Sequence, residues 1–286
     1  MNNFFKFTLL TITIVTFSFE SNSQVQNVLD GAYIKELNLT KRVIPYPHLR
    51  EADVMYVTRI WQKMDLKQKI NQPFYYPVQP IKDRKSLFDV IRQGLLADDP
   101  TLIAYDPGPN NDDDEFRIEF SRDEIYDILN PIDSSMKQNE YGEDIGYETI
   151  QQRIGSDQIT QYLLKEDWIW DRQRSERYVR IIGIAPLIEG RNDRGDDLGT
   201  RPLFWLYYEN CRYVFANAEA FNLLNDAQRR TYEDLFQMRY FSSYIVKESN
   251  VYDREMINYV KGMDALAESE RIKEELFILE HDLWHY

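Results

Sequence analysis

A near-continuous apolar run, YVRIIGIA at residues 178–185, constrains the fold more than any other stretch of this chain. Its β-branched residues and the proline that follows it predict a buried β-strand. Two further apolar stretches, residues 203–208 and 212–215, flank Glu209 and Asn210 and predict a hairpin that pairs with this strand. The glycine-rich residues 190–199 are then the connecting loop. The middle of the chain therefore predicts a small antiparallel sheet.

The pattern becomes helical from Asn225 onward. Asn225 and Gln228 are expected to cap a helix that ends near residue 240, and further helices are expected at about 252–260 and from about 264 to the end. Strands in the middle of a chain followed by a block of helices favour an α+β fold over an alternating parallel sheet. We therefore predict a mixed α+β domain with a small central antiparallel sheet and a C-terminal helical block.

Two serine-acid pairs mark helix starts before the sheet. Ser86 is followed three residues later by Asp89, and the apolar spacing after them predicts a helix over residues 86–97. Ser121 and Glu124 form a second capping box, which predicts a short helix. The chain before the central sheet is therefore expected to contribute at least two helices.

The N-terminus resembles a cleaved secretory signal. An uncharged, mostly apolar run at residues 7–19 follows a weakly positive start, and small residues precede Gln24 at the positions that a signal peptidase reads. The run is shorter than the roughly 20 residues that a membrane-spanning helix needs, so an uncleaved anchor is the lesser interpretation. We therefore predict a signal peptide at 1–23, an extended leader with a contact segment at 24–77, and a globular α+β domain at 78–286. No direct membrane span is expected.

Within the leader, residues 24–48 carry few strong apolar repeats and end in Pro45-Tyr46-Pro47. Proline fixes its own backbone and pushes the preceding residue toward extended conformations. This stretch is therefore expected to run as an extended strap over another part of the molecule.

Charge is distributed very unevenly along the chain, whose net charge is -14. Residues 98–148 hold sixteen Asp or Glu and three Lys or Arg, a net of -13, whereas residues 50–77 hold three acids and five bases, a net of +2. Such a thin basic segment does not favour nucleic-acid binding. A short strand is expected at 101–105 inside the acidic third, while residues 133–147 show little pattern.

Residues 50–77, READVMYVTRIWQKMDLKQKINQPFYYP, interleave basic and aromatic side chains without any catalytic signature. Spacings of three and four predict a helix whose stripe is Val54, Val57, Ile60, Trp61 and Met64. Tyr, Trp and Arg together are typical of protein interfaces. We therefore predict an interface at Arg59, Trp61, Lys63, Lys67, Lys69, Phe74, Tyr75 and Tyr76. Val54, Val57 and Ile60 are expected to face the core.

Candidate chemistry is weak elsewhere. His281 and His285 are four residues apart with an acid after the first, which is close to a zinc-protease motif, but a third ligand is missing. The oxygens of residues 110–115 lack the alternation of a calcium loop. Cys211 is the only cysteine, and its setting suits a half-buried residue in a hairpin. We predict no catalytic residue, no metal site and no cofactor.

Four stretches together resemble one known family. The first runs from Ala52 to Pro77, and the others are residues 166–186, 229–250 and 265–286. In order and content they are similar to the GldN/PorN family of gliding-motility and type IX secretion proteins. Tyr56 departs from the pattern, where the family is expected to favour Trp. The motifs do not separate GldN from its paralogue GldO.

The resemblance implies a non-enzymatic scaffold subunit. Members of this family are expected to build a periplasmic ring with an outer-membrane lipoprotein, GldK/PorK, at the inner face of the outer membrane. The periplasmic part of the motor protein GldM/PorM is expected to contact that ring. Two alternatives remain open: an exported metal-dependent hydrolase that uses His281 and His285, and an acidic calcium- or glycan-binding module. For a ring, the basic segment and the acidic third are candidate complementary patches.

Overall fold

The structure is a computed structural model. It describes residues 41–81, 84–97, 101–109, 113–138, 144–191, 197–222, 225 and 228–282. These residues lie in one compact unit, Leu39–Tyr286. The predicted signal peptide at 1–23 and residues 24–40 of the predicted strap lie outside the described residues, so both stay predictions.

A seven-stranded antiparallel sheet organises the described chain. Its strands are β1 (Val54–Asp65), β2 (Ala104–Tyr105), β5 (Ile159–Asp171), β6 (Glu176–Arg191), β7 (Asp197–Pro202), β8 (Trp205–Tyr207) and β11 (Tyr244–Glu248). The order across the sheet is β11-β1-β5-β6-β8-β2. Strand β7 pairs with residues 187–191 of β6, which follow the residues of β6 that pair with β8. Two small hairpins lie outside it: β3 (Ile132–Gln138) with β4 (Asp144–Gln151), and β9 (Glu219–Ala220) with β10 (Arg230–Thr231).

Helices and sheet together confirm the predicted α+β class. The α-helices are α1 (Gln72–Tyr75), α2 (Leu87–Leu96), α3 (Arg122–Leu129), α4 (Tyr208–Ala216), α5 (Tyr232–Gln237) and α6 (Met263–Asp282). The 3₁₀ turns are Glu51–Asp53, Lys69–Asn71, Ser156–Gln158 and Met256–Asn258. The capping box of Ser121 and Glu124 at α3 is confirmed, and the Ser86 hydroxyl accepts the Asp89 amide at 3.1 Å to start α2. The apolar run at 178–185 lies within β6, as predicted.

The helix predicted from the stripe at residues 54–64 is wrong, because this stretch is strand β1. In a strand, neighbouring side chains point to opposite faces, and here Ile60 and Met64 face one side of the sheet while Trp61 faces the other. All three are buried, as are the polar Thr58 and Gln62. A strand that is covered on both faces does not alternate between apolar and polar residues. The apolar positions of β1 therefore matched helical spacing by coincidence. Strand β1 also lies inside the sheet, between β5 and β11, rather than in a leader that precedes the domain.

The predicted hairpin at 203–215 is half correct. Strand β8 pairs with β6 through Leu206 and Tyr207. The chain then enters α4 instead of a second strand, because Tyr208, Cys211 and Phe215 bury one face of a helix at spacings of three and four.

The C-terminal block is less helical than predicted. Helix α5 begins at Tyr232 and is capped by Thr231 rather than by Asn225 and Gln228. The helix expected at 252–260 is only the 3₁₀ turn Met256–Asn258, and strand β11 was not predicted. The long final helix is confirmed as α6. Residues 133–147, which showed little pattern, contribute to the β3–β4 hairpin.

The two faces of the sheet are covered by different material. One face of the sheet carries Ile60, Leu164 and Glu166 and is called the helical face. At one end of its strands the main core forms against α2 to α5, and α6 covers the other end. On the opposite loop face, the face of Trp61 and Lys165, the covering residues come from segment 113–119 rather than from a helix. Both faces of the central strands are therefore closed, but by elements of different kinds.

The described part of the strap lies against β6 and α4. Residues 41–48 form neither helix nor strand, and Tyr46 lies between two guanidinium groups, 4.0 Å from Arg212 and 5.2 Å from Arg180. Arg212 donates to the Ile44 carbonyl at 2.6 Å, and Arg180 donates to the Pro47 carbonyl at 2.6 Å. Burial raises the pKa of Tyr46 to about 12, with Arg212 opposing the shift.

Candidate contact surface

The predicted interface residues separate into a buried and an exposed group. Trp61 and Phe74 are buried, and Phe74 packs against Tyr232 and Phe236 in the main core. An interface role for these two rings is therefore wrong for the folded subunit, because large aromatic rings are the first to fill a core. Tyr75 is partly buried and meets Tyr76 edge to ring.

Arg59 and Lys63 are partly exposed but already engaged. The Arg59 guanidinium donates to both carboxylate oxygens of Asp167, at 2.6 and 2.9 Å, across the β1–β5 pair. That hydrogen-bonded partner raises the pKa of Arg59. Lys63 donates to the Thr200 hydroxyl at 3.4 Å. A bidentate arginine pair fixes its own geometry, so Arg59 orders the sheet as much as it offers charge to a partner.

Lys67 and Lys69 are exposed, together with Ile70 and Tyr76. Lys67, Lys69 and Ile70 lie on the turn that leaves β1 and enters α1, called the basic turn below, and Tyr76 directly follows α1. Of the eight predicted positions, Lys67, Lys69 and Tyr76 are the ones that the fold leaves exposed.

The opposite end of β1 exposes apolar side chains, of which one was expected in the core and two were not predicted as surface residues. Val57 was expected in the core and is 53 % exposed, while Val54 is only partly buried and Ile60 is fully buried as expected. Met55 and Tyr56 are also exposed, and the Tyr56 ring meets Trp170 edge to face at 5.2 Å. Strand β11 pairs with β1 only at residues 60–63, which leaves this end of β1 without its second strand neighbour.

On the loop face, Lys165 anchors segment 113–119. Its ammonium donates to the Asp114 carbonyl at 2.7 Å and lies 3.2 Å from the Asp114 carboxylate, whose other oxygen accepts the Trp61 indole N–H. The Trp61 ring lies between two ammonium groups, 4.4 Å from Lys247 and 5.9 Å from Lys165. Burial lowers the pKa of Lys165, and Asp114 opposes that shift. Asp114, from the acidic third of the chain, is thus bound to the sheet.

On the helical face, the fully buried Glu166 holds a polar network together. Arg239 donates to both of its oxygens at 2.9 and 3.1 Å, and Gln62 and Trp168 each donate to the second oxygen at 3.0 Å. Arg239 stands on the turn between α5 and β11 with a left-handed backbone, φ 52°. This network separates the main core from the smaller core under α6. Sequence reasoning assigned no role to Glu166; the signal it passed over was three consecutive charges, Lys165, Glu166 and Asp167, inside the otherwise largely apolar β5.

A cleft of about 270 Å³ opens beside this network. It is lined by Tyr46, Arg177, Tyr178, Val179, Ile181, Tyr208, Phe236, Gln237 and Arg239. Arg177 pairs with Glu280 of α6 at 2.7 Å, and its guanidinium lies 5.1 Å from the Trp168 ring. The cleft is therefore lined by the strap, the sheet, α4, α5 and the turn after α5, and its two arginines both have carboxylate partners.

Neither histidine chemistry nor thiol chemistry finds a centre among the residues described. No group of three His, Cys, Asp or Glu side chains within them could hold a metal ion. His281 is exposed at the end of α6, and His285 lies outside the described residues. Cys211 is fully buried in α4 rather than half-buried in a hairpin, and burial raises its thiol pKa.

Exposed carboxylates gather on the part of the acidic third that follows the loop-face anchor. They are Glu115, Glu119, Asp123, Glu124 and Asp127. Within the described chain, no helix is long and apolar enough to cross a membrane. The exposed groups described above are charged and apolar side chains of the kind that form contacts with other proteins.

Comparison with known proteins agrees with this description. No curated protein matches the chain. A family model described as gliding motility associated protein GldN matches residues 49–285, which is nearly the whole chain and includes β1, the basic turn and α6. The chain therefore belongs to the GldN family, a structural component of gliding-motility and type IX secretion machinery.

Proposed function

We propose that this protein is a non-enzymatic scaffold subunit that assembles in the periplasm, beneath the outer membrane, as part of a ring. Membership of the GldN family supports a place in the secretion and gliding machinery. The exposed basic turn supports a role in assembly, because it is the basic part of the predicted contact segment that the fold leaves fully exposed.

The ring would close through head-to-tail contacts, in which one patch of a subunit meets a different patch of its neighbour. The basic turn with Lys67 and Lys69 is one such patch. The exposed acids of residues 115–127 are a candidate for the other, since they carry the opposite charge on a separate part of the surface. Complementary charge of this kind sets register and association rate more than total affinity.

Charge reversal tests this contact. The double variant Lys67→Glu, Lys69→Glu should assemble poorly at low salt, because acid would then face acid. A matched control, Arg153→Glu with Lys261→Glu, makes the same change in net charge at two other exposed positions. Sizing both variants at low and high salt separates the contact from a general charge effect. Equal assembly of the two variants would remove this contact from the proposal.

The second part of the proposal is attachment to the membrane through a GldK/PorK-type lipoprotein, with a GldM/PorM-type motor domain as a further partner. Electron micrographs of the protein co-expressed with its candidate lipoprotein should show rings. Pull-down of that lipoprotein by the basic-turn variant then distinguishes the two uses of the turn. Retained lipoprotein with lost rings assigns the turn to the subunit contact, and the reverse result assigns it to the lipoprotein. Wild-type protein that forms no rings with the lipoprotein would contradict the scaffold proposal.

A further inference from the structure

Helix α6 buries one side chain stripe and exposes a second apolar stripe beside it. Ser269, Ile272 and Leu276 are buried against the sheet. On another side of the helix, Met263 is 80 % exposed, Leu266 is 48 % exposed and Phe277 is 63 % exposed. Large apolar side chains that are grouped on one helix face mark a contact surface more often than single exposed residues do.

The exposed stripe has the spacing of a coiled-coil seam. Met263, Leu266, Glu270, Lys273 and Phe277 follow one another at intervals of three, four, three and four residues. That is the a and d pattern by which two helices pack along their length. These five residues are called the α6 seam below. Its middle is polar, since Lys273 and Glu270 form an ion pair at 3.0 Å, and its two ends are apolar.

The α6 seam is complementary to itself when reversed. Two antiparallel copies related by a twofold axis between positions 271 and 272 place Leu266 opposite Phe277 of the other copy. The same axis places Glu270 opposite Lys273. Leu266 therefore meets Phe277 at both ends of the contact, and each central charge meets its opposite, while Met263 lies beyond this overlap, opposite Glu280. The two Leu-Phe contacts are separated by 11 residues, or about 16 Å of helix.

We infer that α6 pairs with α6 of a second copy of this chain, antiparallel and across a twofold axis. The charge order at the centre is what selects a second copy, because a general apolar partner would not need an acid and a base in mirrored positions. Such an isologous pair differs from the head-to-tail contact proposed for the ring, and it forms whether or not the ring forms.

A charge exchange tests the pairing directly. Glu270→Lys places lysines against lysines, and Lys273→Glu places acids against acids, so each single variant should raise the dimer Kd by about tenfold or more. An equimolar mixture of the two variants restores every opposite-charge contact and should form a heterodimer at wild-type affinity. Analytical ultracentrifugation measures all three samples.

The mixture also separates pairing from folding, because Lys273 additionally donates to the Ser243 carbonyl at 3.2 Å. A folding defect in Lys273→Glu would not be repaired by adding another variant. Wild-type protein that stays monomeric, single variants that dimerise like wild type, or a mixture that stays monomeric would each overturn the inference.

A neighbouring residue provides the matched apolar control. Phe277→Glu removes both Leu266–Phe277 contacts, because both copies carry the change, and should abolish the dimer. Ile278→Glu changes a residue that is 50 % exposed but lies 100° further round the helix, off the seam, and should leave the dimer intact. The opposite ranking of these two variants would contradict the inference. Ring formation with the lipoprotein is scored separately, so its failure does not bear on this pair.

Discussion

Lys165 and Glu166 are neighbours on strand β5, and because side chains alternate along a strand they point to opposite faces of the sheet. Both are buried, and each is paired with a group from a distant part of the chain. The Glu166 carboxylate accepts hydrogen bonds from both terminal nitrogens of the Arg239 guanidinium and from two further N–H groups. The Lys165 ammonium donates to the Asp114 carbonyl and lies 3.2 Å from one oxygen of the Asp114 carboxylate.

The difference lies in how completely each charge is compensated. A buried ion is tolerated when its hydrogen-bonding capacity is filled, and the helical face fills that of Glu166 with groups on strands and on a helix-to-strand turn. On the loop face, the hydrogen bond and the ion pair described for Lys165 both come from Asp114, in a segment without helix or strand. Burial lowers the pKa of Lys165, and Asp114 opposes that shift. We infer that the helical face sets the fold, while the loop face is the side that can open at lower cost.

The largest effect is expected from Arg239→Met. This variant leaves the fully buried Glu166 without a cation, which should lower the free energy of unfolding by about 3–5 kcal/mol. Urea denaturation followed by circular dichroism measures the change. The double variant Glu166→Gln, Arg239→Met buries no charge and should recover part of the loss. A double variant no more stable than the single one would show that the buried charge is not the cause.

A smaller effect is expected from Asp114→Ala on the loop face. Lys165 then keeps only a backbone carbonyl, so the loss should be about 1–3 kcal/mol, and segment 113–119 should become open to limited proteolysis. Asp113→Ala is the control, because the contact described for the Asp113 carboxylate is local: it accepts the Glu115 amide at 3.0 Å. Comparable loss and cleavage in both variants would mean that Asp114 is not the anchor. A loss as large as that of Arg239→Met would abolish the contrast between the faces.

The smallest effect is a pH dependence that belongs to Lys165 alone. Since burial lowers its pKa in the folded protein, the unfolded chain binds more protons as the pH approaches the ordinary lysine value of about 10.4. The free energy of unfolding of the wild type should therefore rise with pH relative to that of Lys165→Met over this window. Urea denaturation of both proteins at neutral pH and near pH 10 measures the difference. A relative decrease would show that the folded state favours the charged lysine.

Local signals in the sequence were sufficient where one segment determines its own structure. The Ser121 capping box, the Ser86 cap, the apolar run of β6 and the long final helix are features of this kind, and the structure contains each of them. Family membership could also be predicted, because it depends on several stretches in a fixed order.

Tertiary context decided the rest. Strand β1 was predicted as a helix because Thr58 and Gln62 interrupt its apolar residues, although both polar side chains are buried in the sheet. The same burial removed Trp61 and Phe74 from the predicted interface. The partner of Glu166 is 73 residues away in sequence, and the partner of Lys165 is 51 residues away. No local pattern could have joined either pair.

Cys211, fully buried in α4 and the only cysteine in the chain, has a practical consequence. A thiol that is enclosed in this way reacts with alkylating reagents only when the core around it opens. In the native chain, the rate at which Cys211 is labelled therefore reports how often the core opens, without any engineered probe. Applied to free subunits and to assembled material, the same measurement would show how far assembly slows that opening.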